Sequence, residues 1–196
     1  MSGRRIGRIV EVEAYGGPDD AASHARFGST ARNAVMYGPA GMAYVYLVYG
    51  MYDCLNVVTG PTGEASAVLI RAVAPIAGID LMRADRWTVA RARRRRLADE
   101  RAAAATARDR LERLPADLLA SGPGAVGAAF GLSRAWTGTD LCDGASPLRL
   151  EPGDAVEPSR LATGPRIGVD YAGPDWSSRP WRFWIADHPA VSRPRR

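Results

Sequence analysis

The groups in this chain whose types and spacing suit chemistry are one carboxylate, a cluster of aromatics and two polar residues set inside apolar runs. Glu13 ends the run Ile6-Gly7-Arg8-Ile9-Val10-Glu11-Val12, whose alternation places Glu11 and Glu13 on one face of a strand. Beside Tyr15 and ahead of the sharp turn Gly16-Gly17-Pro18, Glu13 can lose part of its hydration and act as a general base toward water. A solvent-facing glutamate at a strand end fits the same pattern. His24 lies in a loop before Arg26, where an imidazole could donate to a phosphate or stack on a planar ring; satisfying a local hydrogen bond is the plainer role. Four of the seven tyrosines, Tyr44, Tyr46, Tyr49 and Tyr52, fall within nine residues. Such rings suit stacking on planar groups, and they suit a half-buried strand equally well. Tyr49 and Met51 flank Gly50 at a turn, where a large apolar side chain makes a wedge able to unstack a base step. Asn56 and Arg71 interrupt apolar strands, so each needs a buried partner or belongs to a site.

These residues must be positioned by a strand-rich first third. Ile6 to Val12 predicts one strand, Tyr44 to Tyr49 and Tyr52 to Val58 a hairpin, and Ala67 to Val73 another strand ahead of Pro75. Residues 76–114 have a helical composition rich in alanine and arginine, and eleven arginines lie between Arg83 and Arg113. Residues 115–185 return to short elements punctuated by Gly and Pro, with a small-residue helix over Ala125 to Leu132 and a closing strand over Trp181 to Ile185. Without a repeating strand–helix alternation, this order predicts an α+β fold.

Composition bounds the function. At 196 residues the chain is long enough for one full core. No apolar run has membrane-spanning length, and the polar start leads to no signal-peptide hydrophobic region, which predicts a soluble intracellular protein with no membrane partner. The net charge is +5, and every one of the 26 basic residues is arginine. An all-arginine surface suits a polyanion, and a coding bias that also favours Ala, Gly and Pro explains the missing lysine. Cys54 and Cys142 have no metal-ligand companions in sequence, and there are only two histidines, so no metal site is expected. The phosphate-loop, HExxH, GxSxG and GxGxxG signatures are absent.

Taken in order, the segments Gly7-Arg8-Ile9-Val10-Glu11-Val12-Glu13-Ala14-Tyr15, Ala22-Ser23-His24-Ala25, Arg32-Asn33, Tyr44-Val45-Tyr46, Tyr49-Gly50-Met51, Cys54-Leu55-Asn56-Val57 and Leu69-Ile70-Arg71-Ala72 resemble the alkyladenine (3-methyladenine) DNA glycosylase family, in its bacterial form. Gly122-Pro123-Gly124, Gly164-Pro165-Arg166-Ile167-Gly168-Val169 and Trp181-Arg182-Phe183 agree. The resemblance implies a single domain over residues 1–196, with a curved, mostly antiparallel sheet, a protruding β-hairpin, surrounding helices and an Arg/Ala-rich helical insert at about residues 83–114. It implies a monofunctional enzyme that flips alkylated or deaminated purines out of double-stranded DNA and hydrolyses the N-glycosidic bond, with no cofactor and no metal. By resemblance Glu13 activates the water. Arg71 and the backbone carbonyls near Ala22 and Ile167 hold that water. Tyr15 and His24 line one side of the flipped base and Tyr46 the other. Asn56 screens the purine edge, and Tyr49 fills the gap in the duplex with Met51 beside it. A monomer in the bacterial cytoplasm, associated with the nucleoid, is expected. The family carries a helix and strand ahead of the catalytic strand that this sequence lacks, so a shortened amino terminus is expected, and with it the alternative of a DNA-binding homologue without turnover. Ala125 stands where a basic residue is common, which predicts one phosphate contact fewer.

Overall fold

In this computed structural model, residues 3–94 and 100–192 are described. The longest apolar run forms the middle of a six-stranded antiparallel sheet: β1 (Ile6–Tyr15), β2 (Ala43–Val48), β3 (Tyr52–Val58), β4 (Ala67–Ala77), β5 (Leu161–Gly164) and β6 (Arg182–Ile185), in the spatial order β2-β3-β4-β1-β6-β5. The sheet does not close into a barrel. Helices α1 (Ile79–Arg94), α2 (Glu100–Glu112), α3 (Pro123–Ala129) and α4 (Pro174–Ser177) complete an α+β fold. No described helix is long and apolar enough to cross a membrane.

The sheet carries apolar packing on both faces, which explains why β4, apart from Arg71, is hydrophobic throughout rather than alternating. One face packs Val45, Leu55, Ile70 and Val73 against Met82 of α1 and Val126 and Ala129 of α3. Met82 and Leu119 are fully buried there, contributions of about 1.5–3 kcal/mol each. A second cluster joins Tyr44, Val58 and Ala67 to Ala25 and Met36, which sit on 3₁₀ turns at His24–Phe27 and Ala34–Tyr37. Helix α3 lies so close to β3 that a Cβ at Gly127 would stand 1.9 Å from the Asp53 carbonyl oxygen. Only glycine allows that approach, which anchors the turn end of the hairpin.

Most element boundaries differ from the sequence-based ones by a few residues. Strand β1 runs on to Tyr15, so Glu13 lies inside it rather than at its end. Strand β4 continues through Pro75, because β3 pairs only with Ala67–Leu69 and the far end of β4 has a single neighbour in need of hydrogen bonds. The helical stretch therefore starts at Ile79 instead of residue 76. Within the arginine-rich insert, Arg83 donates to the carbonyls of Leu111 and Leu114, and Arg86 to those of Leu118 and Leu119, so these two arginines cap the C-terminal ends of α2 and of the 3₁₀ turn at Ala116–Leu118. Arg108 and Arg113 pair with Glu112 and Asp109 on the exposed face of α2 and the turn that follows it.

Candidate active site

The site is built where β1 and β4 slip register. Pairing is regular from Glu13↔Leu69 to Tyr15↔Ala67, but it shifts between Ile9 and Glu11 and again between Glu11 and Val12, leaving Val10 and Arg71 outside the ladder register. Such bulges re-aim side chains. Here the result is that Arg71 reaches both acids of the same strand face: Nε lies 2.9 Å from Glu11 Oε1 and Nη1 lies 3.1 Å from Glu13 Oε1. Alternation did predict that Glu11 and Glu13 share a face. It did not predict that both carboxylates are wholly buried, with Glu13 at 0% exposure.

Glu13 is held by three donors. Its Oε1 accepts from the Ile167 amide at 2.7 Å and pairs with Arg71 Nη1 at 3.1 Å, and its Oε2 accepts from the Tyr15 hydroxyl at 2.9 Å. Burial, and then the neighbouring Glu13 carboxylate, push the Tyr15 hydroxyl well above its ordinary pKa, so Tyr15 remains a donor. A carboxylate offers about four acceptor positions. Among the described residues Glu13 uses three, and Oε2 accepts one hydrogen bond. For Arg71, burial opposes the charge, but Glu13 and Glu11 outweigh it and hold the guanidinium ionised.

The aromatic residues fall into two groups. The rings of His24 and Tyr46 meet edge to face at 4.3 Å, and Tyr46 leans on Tyr44 at 5.3 Å. A ring stacked between two others needs them about 7 Å apart, so His24 and Tyr46 form one wall together. Tyr15 belongs elsewhere: the Arg166 guanidinium covers its ring at 4.8 Å and the Trp181 ring at 4.9 Å. His24 Nδ1 is 3.0 Å from the Tyr44 hydroxyl. Burial, then Arg32 and Arg26, lower the His24 pKa to about 4, so this wall is uncharged at neutral pH. Asn33 staples the loop by donating to the carbonyls of His24 and Gly28, while Arg32 donates to Leu47 of β2.

Asn56 is buried, and its amide nitrogen donates to the carbonyls of Tyr44 and Cys54. Ala22 is buried and its carbonyl accepts from the Tyr171 hydroxyl at 2.9 Å, while Ile167 meets Glu13 through its amide. Burial pushes the Cys54 thiol up to about 12, which makes it inert. No group of three or more metal-ligating side chains occurs among the described residues.

At the far end of the hairpin, Tyr49 is 82% exposed and Met51 47%. The turn is tight, with the Met51 amide donating to the Val48 carbonyl at 2.9 Å and positive φ at both Tyr49 (52°) and Gly50 (66°). Glycine adopts that region freely, but a bulky residue there is strained by of order 1–3 kcal/mol. Asn would fill the Tyr49 position with less strain.

Two residues beside the site were not singled out by the sequence. Arg166 and Asp20 form a two-pronged buried pair at 2.6 and 2.9 Å, and Asp20 also accepts from the amides of Gly16 and Ala22. Their 146-residue separation hides the pair from any local pattern, although Arg166 stands in a segment that carried the family resemblance.

The site thus comprises a buried acid at the centre of an open antiparallel sheet, an aromatic wall and a strained exposed tip. The chain belongs to the methylpurine-DNA glycosylase family, whose model matches residues 1–189. Among its relatives are proteins named by assignment as 3-methyladenine DNA glycosylases. That of Nocardia farcinica is 45% identical over 100% of this chain and 81% of its own length. Those of Myxococcus xanthus and Methanocella arvoryzae are 43% and 45% identical, over 97% and 98% of this chain and 78% and 82% of their own lengths.

Proposed function

We propose that this protein flips an alkylated or deaminated purine out of duplex DNA and hydrolyses its N-glycosidic bond, leaving an abasic site. The observation that carries this reading is the partial saturation of Glu13: a fully buried carboxylate, oriented by three donors, with acceptor capacity remaining on Oε2. Glu13 takes the proton of a water whose oxygen bonds to the sugar carbon C1′, while the C1′–N bond breaks and its electron pair leaves with the purine. An alkylated, positively charged purine leaves as a neutral base. Arg71 and Ile167 orient the carboxylate, and Arg71 helps to hold the water.

The flipped base lies between Tyr15 and the His24–Tyr46 wall. Neutral His24 and two phenol rings suit a cationic base. The Ala22 carbonyl, fixed by Tyr171, and Asn56, fixed by two backbone carbonyls, border the pocket, with Asn56 placed to screen the purine edge. Tyr49, with Met51 beside it, fills the space the base vacates, and the unstacking cost of a few kcal/mol is least for a damaged base. With no lysine in the chain, hydrolysis rather than an imine route is expected, so the strand is left intact. A single copy suffices, because every group named comes from one chain.

The test is base release from a duplex carrying one hypoxanthine or N-methylated purine, read as strand scission after hot alkali. Release by the wild-type protein and none above background by Glu13→Gln is the expected result. Duplex binding without release by the wild type would instead leave a DNA-binding member of the family without turnover.

A further inference from the structure

Glu11 is buried behind Glu13, and the proposed reaction makes no use of it. Its oxygens accept four hydrogen bonds: from Arg71 Nε at 2.9 Å, Arg182 Nε at 2.6 Å, and the Ser192 amide and hydroxyl at 2.6 and 2.9 Å. Ser192 Oγ also accepts from Arg71 Nη2 at 3.3 Å, and the Ser192 carbonyl accepts from Arg182 Nη2 at 3.1 Å. Burial opposes the charge on Glu11, but Ser192, Arg71 and Arg182 outweigh it and hold the carboxyl below its usual range. A serine near the end of the chain thus completes a network begun 181 residues earlier.

The consequence lies in the three nitrogens of Arg71. Nε is committed to Glu11, Nη2 to Ser192, and only Nη1 reaches Glu13. An arginine unrestrained beside a carboxylate forms a two-pronged pair, which is what Arg166 does with Asp20. The same closure of Arg71 on Glu13 would occupy the acceptor position that a water needs. We propose that Glu11, clamped by Ser192, is a positioning residue that holds Arg71 to a single contact with Glu13 and thereby keeps a Glu13 oxygen open to water. This role rests on Glu13 being the base, as proposed above.

The test compares Glu11→Gln, Ser192→Ala and Ser192→Thr with the wild type, using single-turnover release of hypoxanthine and affinity for a duplex carrying an abasic-site analogue. Misplacement of a reacting group by about 1 Å lowers a rate by as much as 100-fold. Glu11→Gln is therefore expected to slow release by about that factor and Ser192→Ala by less, with Ser192→Thr restored and affinity unchanged in all three. In an Arg71→Gln background Glu11→Gln should slow release no further, because the restrained group is gone. Additive losses, or rate and affinity falling together, would overturn the proposal. A readout independent of turnover is solvent exchange of the Arg71 Nε proton by ¹⁵N NMR, expected to be slow in the wild type and at least about ten-fold faster in Ser192→Ala and Glu11→Gln. Unchanged exchange in both variants refutes the clamp even if the wild type releases no purine, an outcome that would defeat the proposed function separately.

Discussion

Two buried arginine–carboxylate pairs flank this site, and they are built to different ends. Asp20 meets Arg166 with both oxygens and fills its remaining acceptor positions with the amides of Gly16 and Ala22. Glu13 meets Arg71 through one nitrogen and accepts two further hydrogen bonds, so its acceptor capacity is not exhausted. Both acids are out of solvent. Burial and the presence of an arginine therefore do not separate a structural carboxylate from a reactive one. The hydrogen-bond count does differ: Asp20 is saturated and can only hold its neighbours in place, while Glu13 keeps the acceptor capacity that its proposed role requires.

Exchanging the charge in each pair tests that distinction. Glu13→Gln should lower single-turnover base release by roughly 10²–10⁴-fold, the usual worth of a general base, and leave duplex affinity nearly intact. Asp20→Asn should do the reverse. Breaking a buried pair costs about 3–5 kcal/mol, which for a chain of this size lowers the midpoint of thermal unfolding by about 6–20 °C, with release at low temperature reduced far less than in Glu13→Gln. The comparison fails if Asp20→Asn abolishes release in protein that remains folded. The acid side of the stability curve carries the same information. Burial opposes the Asp20 charge, but Arg166 and the amides of Ala22 and Gly16 lower its pKa below 3.8. Its contribution is present above that value and is lost as the pH falls through the folded-state value, a loss that Asp20→Asn should remove from the urea-unfolding profile.

A smaller effect is expected at the hairpin tip. Tyr49→Asn relieves the strain of a tyrosine at φ 52° and should leave stability equal or up to about 1 kcal/mol higher. Affinity for an abasic-analogue duplex should fall about ten-fold, within the 1–3 kcal/mol ascribed to one stacked ring. A loss of stability together with affinity would make the tip part of the scaffold.

An effect confined to acid pH concerns His24. The unfolded chain protonates this residue near pH 6.5, but the folded one does not until about 4. Stability should therefore decline as the pH drops from about 6.5 toward 4, and His24→Gln should flatten that slope in chemical unfolding. An unchanged slope would mean that the His24–Tyr46 wall opens to solvent.

The order of elements was legible because it rests on local patterns. Alternation placed Glu11 and Glu13 on one face, the tyrosine-rich hairpin was recognisable from its flanking strands and central Gly50, and alanine-rich composition marked the helices. The site residues were legible mainly as an ordered set of short segments, since each alone fitted an ordinary structural role. What local patterns could not supply were angles and partners. Extending β1 to Tyr15 depends on regular pairing with Ala67–Leu69 of β4, re-aiming Arg71 depends on the bulges before it, and the union of His24 with Tyr46 depends on how a loop lies against β2.

The sequence by itself thus determined that a strand-borne acid, a tyrosine hairpin and an all-arginine basic complement occur in one chain, because periodicity and residue chemistry are local properties. Only the tertiary structure decided which acids are saturated. Glu11 finds Ser192 and Asp20 finds Arg166 across 181 and 146 residues, and contacts at such separations are fixed by the packing of the whole sheet, where no spacing rule along the chain can reach them.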